Sequence, residues 1–203
     1  MRKFPRWAWW LVGIIAVVAI AAGIIFIVRN AGPSLPSGLV EKRAEAARLL
    51  EEASRIEDVD MKPLVTLEAK KDYAGAVALM DAALAVNNRQ EQLNGALVTV
   101  SDELAKLAVG VEPDGAGEKA VEAFSILAQL AEAEKEFFID RRALYEAGRG
   151  YYAALAAKKK PPLSAGLAAL AETITADLAK AKELHQHFSA AARAFDEILR
   201  TGK

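Results

Sequence analysis

The chain has 203 residues, 53% of them hydrophobic, which is enough apolar surface for one domain with its own core. It contains no cysteine, which excludes disulfide bonds, thiol chemistry and lipid attachment at a cysteine. Four of the 26 basic residues and none of the 27 acidic residues precede position 30, so the remainder carries 22 basic and 27 acidic residues, a net charge of −5. That sign is the opposite of what nucleic-acid binding requires.

The N-terminal region contains a run of 22 residues, 7–28, with no charge, proline or amide side chain. A bilayer core of about 30 Å is crossed by about 20 helical residues. We therefore predict a membrane-spanning signal-anchor helix over residues 7–29. The preceding tail, residues 1–6, carries three basic side chains and is predicted to stay in the cytoplasm. The rest of the chain would then lie outside the cytoplasmic membrane, as a single-pass protein.

A cleaved signal peptide is the competing interpretation of this region. Residues 19–21 read Ala-Ile-Ala, which resembles a cleavage site for secretion. Cleavage there would leave the apolar residues 23–28 exposed at a new N-terminus, so an uncleaved anchor is favoured. Residues 30–38 (NAGPSLPSG) contain two prolines, two glycines and two serines and are predicted to form a short linker.

Residues 39–203 are predicted to form an all-α domain. A first helix spans about 39–57, and Pro63 opens a shorter helix. Three long segments follow, at 72–109, at 117–157 and from about Ser164 onward, each with an apolar seam that steps by three and four residues. Because short turns join long helices into antiparallel neighbours, we predict an elongated antiparallel bundle of three to four long helices.

One segment resembles a known repeat family. Residues 72–88 (DYAGAVALMDAALAVNN) resemble the second helix of a tetratricopeptide repeat, matching it at Tyr73, Ala76, Val77, Ala83 and Leu84. The resemblance implies a peptide-binding adaptor in which the helix breaks at residues 87–89. The apolar seam nevertheless continues in frame across this point, so the sequence leaves open whether 72–109 forms one helix or two.

Each long seam contains one polar residue: Gln90, Asp140 and Asp177. When the chain is folded back about its two predicted turns, all three lie about halfway along the bundle. They are therefore candidates for a central polar layer that binds a small ligand or ion. Two carboxylates that share a site raise the pKa of one of them, which is common at functional sites.

The same polar residues also have a structural interpretation. Arg141, Arg142 or Lys180 could neutralise the two aspartates, or the aspartates could turn toward water. A single polar residue in an apolar seam also fixes the register of neighbouring helices.

Other candidate sites are weaker. Lys158, Lys159 and Lys160 follow the second long helix and are predicted to form a basic distal tip that meets an anionic partner, although lysines also stabilise a helix C-terminus. His185 and His187 are two positions apart on a helix and cannot share a metal ion. No catalytic, metal-binding or cofactor-binding motif is present, so no enzyme activity and no cofactor are predicted.

These observations predict a membrane-anchored, non-enzymatic helical scaffold or interaction protein. Residues 7–28 would contact the membrane, and the bundle would bind a protein partner or associate with itself, but not nucleic acid. The alternatives are a ligand-sensing four-helix-bundle domain, of the type found outside the cytoplasm in bacterial receptors, or the tetratricopeptide-like adaptor.

Overall fold

The computed structural model describes residues 35–109, 111–112, 115–162 and 166–201. Within these ranges every regular element is an α-helix and there is no strand, which confirms the predicted all-α class. In chain order the helices are α1 (Ser37–Ser54), α2 (Pro63–Lys70), α3 (Tyr73–Leu107), α4 (Ala116–Ala156) and α5 (Leu167–Thr201).

Helix α3 is continuous over 35 residues. Its start is fixed by Asp72, whose carboxylate accepts a hydrogen bond from the backbone N–H of Gly75 at 2.9 Å. The helix runs through residues 87–89 without a break. The segment left open by the sequence is therefore one helix, and the break that a tetratricopeptide interpretation predicts is not present.

The helices pack as an antiparallel bundle. α3 lies against α4, and α4 lies against α5. Asp81 pairs with Arg149, and Glu91 pairs with Arg142, so residue numbers rise along α3 as they fall along α4. α1 and α2 both pack on α3 and together form the fourth rod of the bundle. Helices of 35 to 41 residues make this bundle about 50–60 Å long.

The core is concentrated at the two ends of the bundle. At the end where α1 begins and α3 finishes, here called the proximal end, side chains of α1, α3, α4 and α5 form one cluster. Phe124 and Phe195 meet there edge to face, with ring centroids 6.3 Å apart. At the opposite, distal end, α2 replaces α1 in a second cluster that includes Met80 and Tyr152. A smaller group between α4 and α5 lies between them.

The predicted membrane-spanning segment, residues 7–29, lies outside the described residues. Among the helices that are described, none is both long enough and apolar enough to cross a bilayer.

Candidate functional site

The structure places the three polar seam residues in two environments. Gln90 of α3 is 3% exposed and lies in a polar cluster between α3, α4 and the connection from α1 to α2. Asp140 of α4 and Asp177 of α5 lie together at the α4–α5 contact. Asp140 is next to Arg141, which is the centre of the polar cluster. Successive side chains on a helix point about 100° apart, so Asp140 faces away from that cluster. The three residues therefore lie at about the same height along the bundle but contact different neighbours.

The centre of the polar cluster is the guanidinium of Arg141, which is 1% exposed. Its Nε donates to Oδ1 of Asn87 at 2.6 Å, and its Nη2 donates to Oε1 of Gln90. Its Nη1 donates to the two carboxylate oxygens of Asp58, at 3.2 and 3.4 Å. Because each guanidinium nitrogen has a partner, charge-assisted hydrogen bonds offset the desolvation of the cation.

The nitrogen and the oxygen of both amides in the cluster each have a hydrogen-bond partner. Asn87 Nδ2 donates to the backbone oxygen of Phe138 at 2.7 Å, and Gln90 Nε2 donates to Oδ1 of Asp58 at 3.2 Å. The cluster therefore joins the α1–α2 connection to both α3 and α4 through hydrogen bonds within the chain.

Aromatic rings surround the same cation. Arg141 Cζ lies 4.8 Å from the ring centroid of Phe138, 5.1 Å from that of Phe137 and 5.8 Å from that of Tyr145. Burial raises the pKa of Tyr145 to about 12, with Arg141 opposing the shift, so this phenol stays neutral. Because an arginine keeps its proton at any physiological pH, the arrangement holds a fixed charge and is suited to positioning rather than proton transfer.

Two members of this cluster were missed by sequence reasoning. Asp58 lies in the irregular segment between α1 and α2, and Asn87 lies beside the apolar seam of α3. Arg141 was considered only as a neighbour that could neutralise the seam aspartates. The available signal was its spacing of three and four residues from Phe137, Phe138 and Tyr145 on one helix.

The three basic residues expected to neutralise the seam aspartates act differently from one another. Arg141 pairs with Asp58, and Arg142 pairs with Glu91 at 2.8 Å. Only Lys180 opposes the upward pKa shift of a seam aspartate.

Asp140 and Asp177 form a pair of like charges. The pKa of Asp177 is raised, first by burial, then by the charge and hydrogen bonding of Asp140 and by Glu136, while Lys180 opposes the shift. Lys180 Nζ lies 3.4 Å from Glu136 Oε2. Oδ2 of Asp177 is buried and has no hydrogen-bond partner among the described residues. This environment disfavours the charged form of the Asp177 carboxyl.

Glu134 is a further perturbed carboxyl that the sequence did not indicate. It is half-buried one helical turn before the buried Phe138, and burial raises its pKa to about 7. The group therefore loses part of its charge near neutral pH.

The remaining predicted candidates lie apart from the cluster. His185 is half-buried, and burial lowers its pKa. In the described part of the chain, no three His, Asp or Glu side chains are grouped so that they could hold a metal ion. Lys158, Lys159 and Lys160 are exposed at the distal end, directly after α4.

Comparison with known proteins finds no match to this chain among protein-family models, curated proteins or solved structures.

Proposed function

We propose that this protein is a membrane-anchored, non-enzymatic helical scaffold that presents its bundle outside the cytoplasmic membrane and acts by binding a protein partner or itself. The observation that carries the proposal is the uncharged run at residues 7–28, which a short linker joins to a long helical bundle. The six residues 29–34 between this run and the described chain reach at most about 20 Å. The proximal end would therefore stay close to the bilayer.

The interior of the bundle supports a structural role. The residues around Arg141 are two amides, one carboxylate and several aromatic rings, and they bind one another. Catalysis by a buried cluster requires an acid, a base or a nucleophile that can reach a substrate. A hydrogen-bonded cluster around a permanent cation instead joins three segments of the chain.

Membrane topology is the decisive test. Because the chain has no cysteine, single cysteines can be introduced as labelling sites without removing any native thiol. Ala85→Cys is on an exposed position of α3 and should react with a membrane-impermeant maleimide on intact cells or spheroplasts. Lys3→Cys should react only after permeabilisation. The reverse pattern, or release of the chain from membranes by alkaline carbonate, would overturn the anchored topology.

The scaffold role itself is tested by crosslinking in intact membranes. A photoreactive label on the introduced thiol of the same Ala85→Cys chain should give a discrete adduct larger than the monomer. A chain that remains a solitary monomer at every labelled exposed position would contradict the proposal.

A second candidate function is favoured by one observation at the α4–α5 contact. Oδ2 of Asp177 is buried without a hydrogen-bond partner among the described residues, and it lies beside Asp140. A ligand-sensing bundle would predict a small molecule or cation that raises the melting temperature of the full chain in detergent. The increase should disappear in Asp140→Ala and Asp177→Ala, but persist in Asp102→Ala, an exposed control on α3.

A further inference from the structure

Five lysines from two separate turns meet at the distal end of the bundle. Lys70 ends α2 and is followed by Lys71, and α4 is followed by Lys158, Lys159 and Lys160. All five are exposed. The two turns are neighbours because α3, which starts after Lys71, runs antiparallel to α4, and because Tyr152 near the end of α4 donates a hydrogen bond to Glu68 of α2 at 2.6 Å. We call these five residues the basic tip.

The positive charge of the basic tip is not neutralised by ion pairs within the described chain. Four of the lysines elsewhere on the bundle have carboxylates within 3.4 Å: Lys42, Lys119, Lys135 and Lys180. No lysine of the basic tip forms an ion pair with another described residue.

The two carboxylates beside the basic tip already have partners. Asp72 caps α3 through the N–H of Gly75, and Glu68 accepts the hydrogen bond from Tyr152. Since neither carboxylate forms an ion pair with the tip, the five ammonium groups remain available to an acidic partner.

The backbone at the basic tip provides an independent observation. Lys71 and Lys158 have φ angles of 56° and 54°, in the left-handed region, and they are the only described non-glycine residues with positive φ. Each of these lysines ends a helix with the same two backbone hydrogen bonds. Its own N–H donates to the carbonyl three residues earlier, and the N–H of the next residue donates to the carbonyl five residues before that donor. Glycine is the residue usually found there, because a side chain is strained in this conformation. At both turns a lysine occupies the position that favours glycine.

We propose that the basic tip is the contact surface for an acidic segment of a partner protein. The inference rests on the proposed scaffold function and names the partner by its chemistry. A long polyanion such as nucleic acid fits less well, because the chain after position 29 has a net charge of −5 and would repel a polymer lying along the bundle. A short acidic segment can meet the tip end-on, where the five cations are concentrated.

The test uses the full chain in phosphatidylcholine nanodiscs and a fluorescein-labelled poly-L-glutamate of about twenty residues, with binding followed by anisotropy at low salt. The double variants K70Q/K71Q and K159Q/K160Q should each weaken binding about fivefold, since each removes two exposed charges. The matched control is K106Q/K182Q. It removes two exposed lysines that also form no ion pair with a described residue but lie away from the tip. This control should change affinity less than twofold.

Three results would overturn the inference: no binding of the peptide, an equal loss of affinity in the control, or tip-dependent binding to anionic phosphatidylglycerol vesicles or duplex DNA that exceeds binding to the peptide. Circular dichroism of each variant verifies that the fold is intact. Failure of the topology experiment would remove the scaffold function without affecting peptide binding at the tip. If the chain is anchored but its basic tip binds no acidic peptide, the proposed topology holds and the proposed contact surface is wrong.

Discussion

The counterion of Arg141 comes from outside the two helices that bury the cation. Asp58 lies in an irregular segment, and its side chain is 24% exposed, whereas the side chain of Arg141 is 1% exposed. The two charges therefore differ in their access to water. Removal of the aspartate leaves a buried cation, which is one of the most destabilising changes that a single substitution can cause.

We predict that Asp58→Asn lowers the free energy of unfolding by about 3 kcal/mol, near the lower limit for a broken buried pair, because an amide oxygen can still accept one hydrogen bond. Chemical denaturation in a mild detergent measures the change. Asp60→Asn is the matched control in the same segment. The Asp60 side chain is exposed, and among the described residues it accepts a hydrogen bond only from the N–H of Lys62, at 3.0 Å. This substitution should therefore alter stability by less than about 0.5 kcal/mol. Equal effects of the two substitutions would show that Arg141 does not depend on Asp58.

Adjacent lysines at the basic tip should respond in opposite directions to the same substitution. Lys71→Gly places glycine at a φ of 56° and should stabilise the protein by about 1 kcal/mol. Lys70→Gly places glycine in the last turn of α2 and should destabilise it by a similar amount. Thermal unfolding of the two variants distinguishes them. A loss of stability in Lys71→Gly would mean that the lysine side chain itself stabilises the end of the helix. Its presence at this position would then be explained without partner binding.

At the scale of whole helices, much of the fold follows from apolar periodicity. The segments predicted at 72–109 and 117–157 correspond to helices Tyr73–Leu107 and Ala116–Ala156. An apolar seam that repeats over many turns identifies a helix reliably and limits where it can begin and end. Pro63 begins α2 as predicted, since proline suits a first helical turn.

The candidate site was less predictable for a physical reason. Folding the chain back about its turns gives the height of a residue along the bundle but not which neighbouring element its side chain meets. Asp140 and Gln90 were therefore grouped, although they contact different neighbours. The contact between Asp58 and Arg141 joins residues 83 positions apart, one of them in an irregular segment. No local pattern encodes such a pairing.

Glu134, in the middle of α4, should make the free energy of unfolding depend on pH. Its pKa is raised from 4.5 to about 7 in the folded chain, so between these values the folded state binds more protons than the unfolded state. The contribution of this group to stability is therefore most favourable below pH 4.5 and is lost as the pH rises through about 7.

Glu134→Gln should accordingly raise the free energy of unfolding by about 2 kcal/mol at pH 8, and by much less at pH 4.5. Denaturation curves at the two pH values measure the difference. Glu132→Gln is the control on the same helix. Its carboxylate is partly exposed and pairs with Lys135 at 3.2 Å, so its removal should slightly lower stability at pH 8. A gain from Glu134→Gln that is the same at both pH values would contradict burial of an ionised carboxylate.

At the scale of the whole molecule, the two ends of the bundle have different roles in the proposed function. Gly38 at the start of α1 lies next to Leu107 at the end of α3, so the described chain begins at the proximal end. The basic tip lies at the opposite end, about 50–60 Å away along the helices. A scaffold of this shape would hold its charged contact surface at a set height above the membrane.

This arrangement predicts that the bundle folds without the proposed anchor. The described members of both end clusters and of the Arg141 cluster all follow position 34, so deletion of residues 1–34 leaves every contact among them in place. The shortened chain should remain helical by circular dichroism and unfold cooperatively, with a melting temperature within a few degrees of the full chain in detergent. It should also stay in solution without detergent, because few large apolar side chains of the described residues are exposed. Loss of cooperative unfolding would mean that the N-terminal segment completes the core, and the division into anchor and bundle would then be wrong.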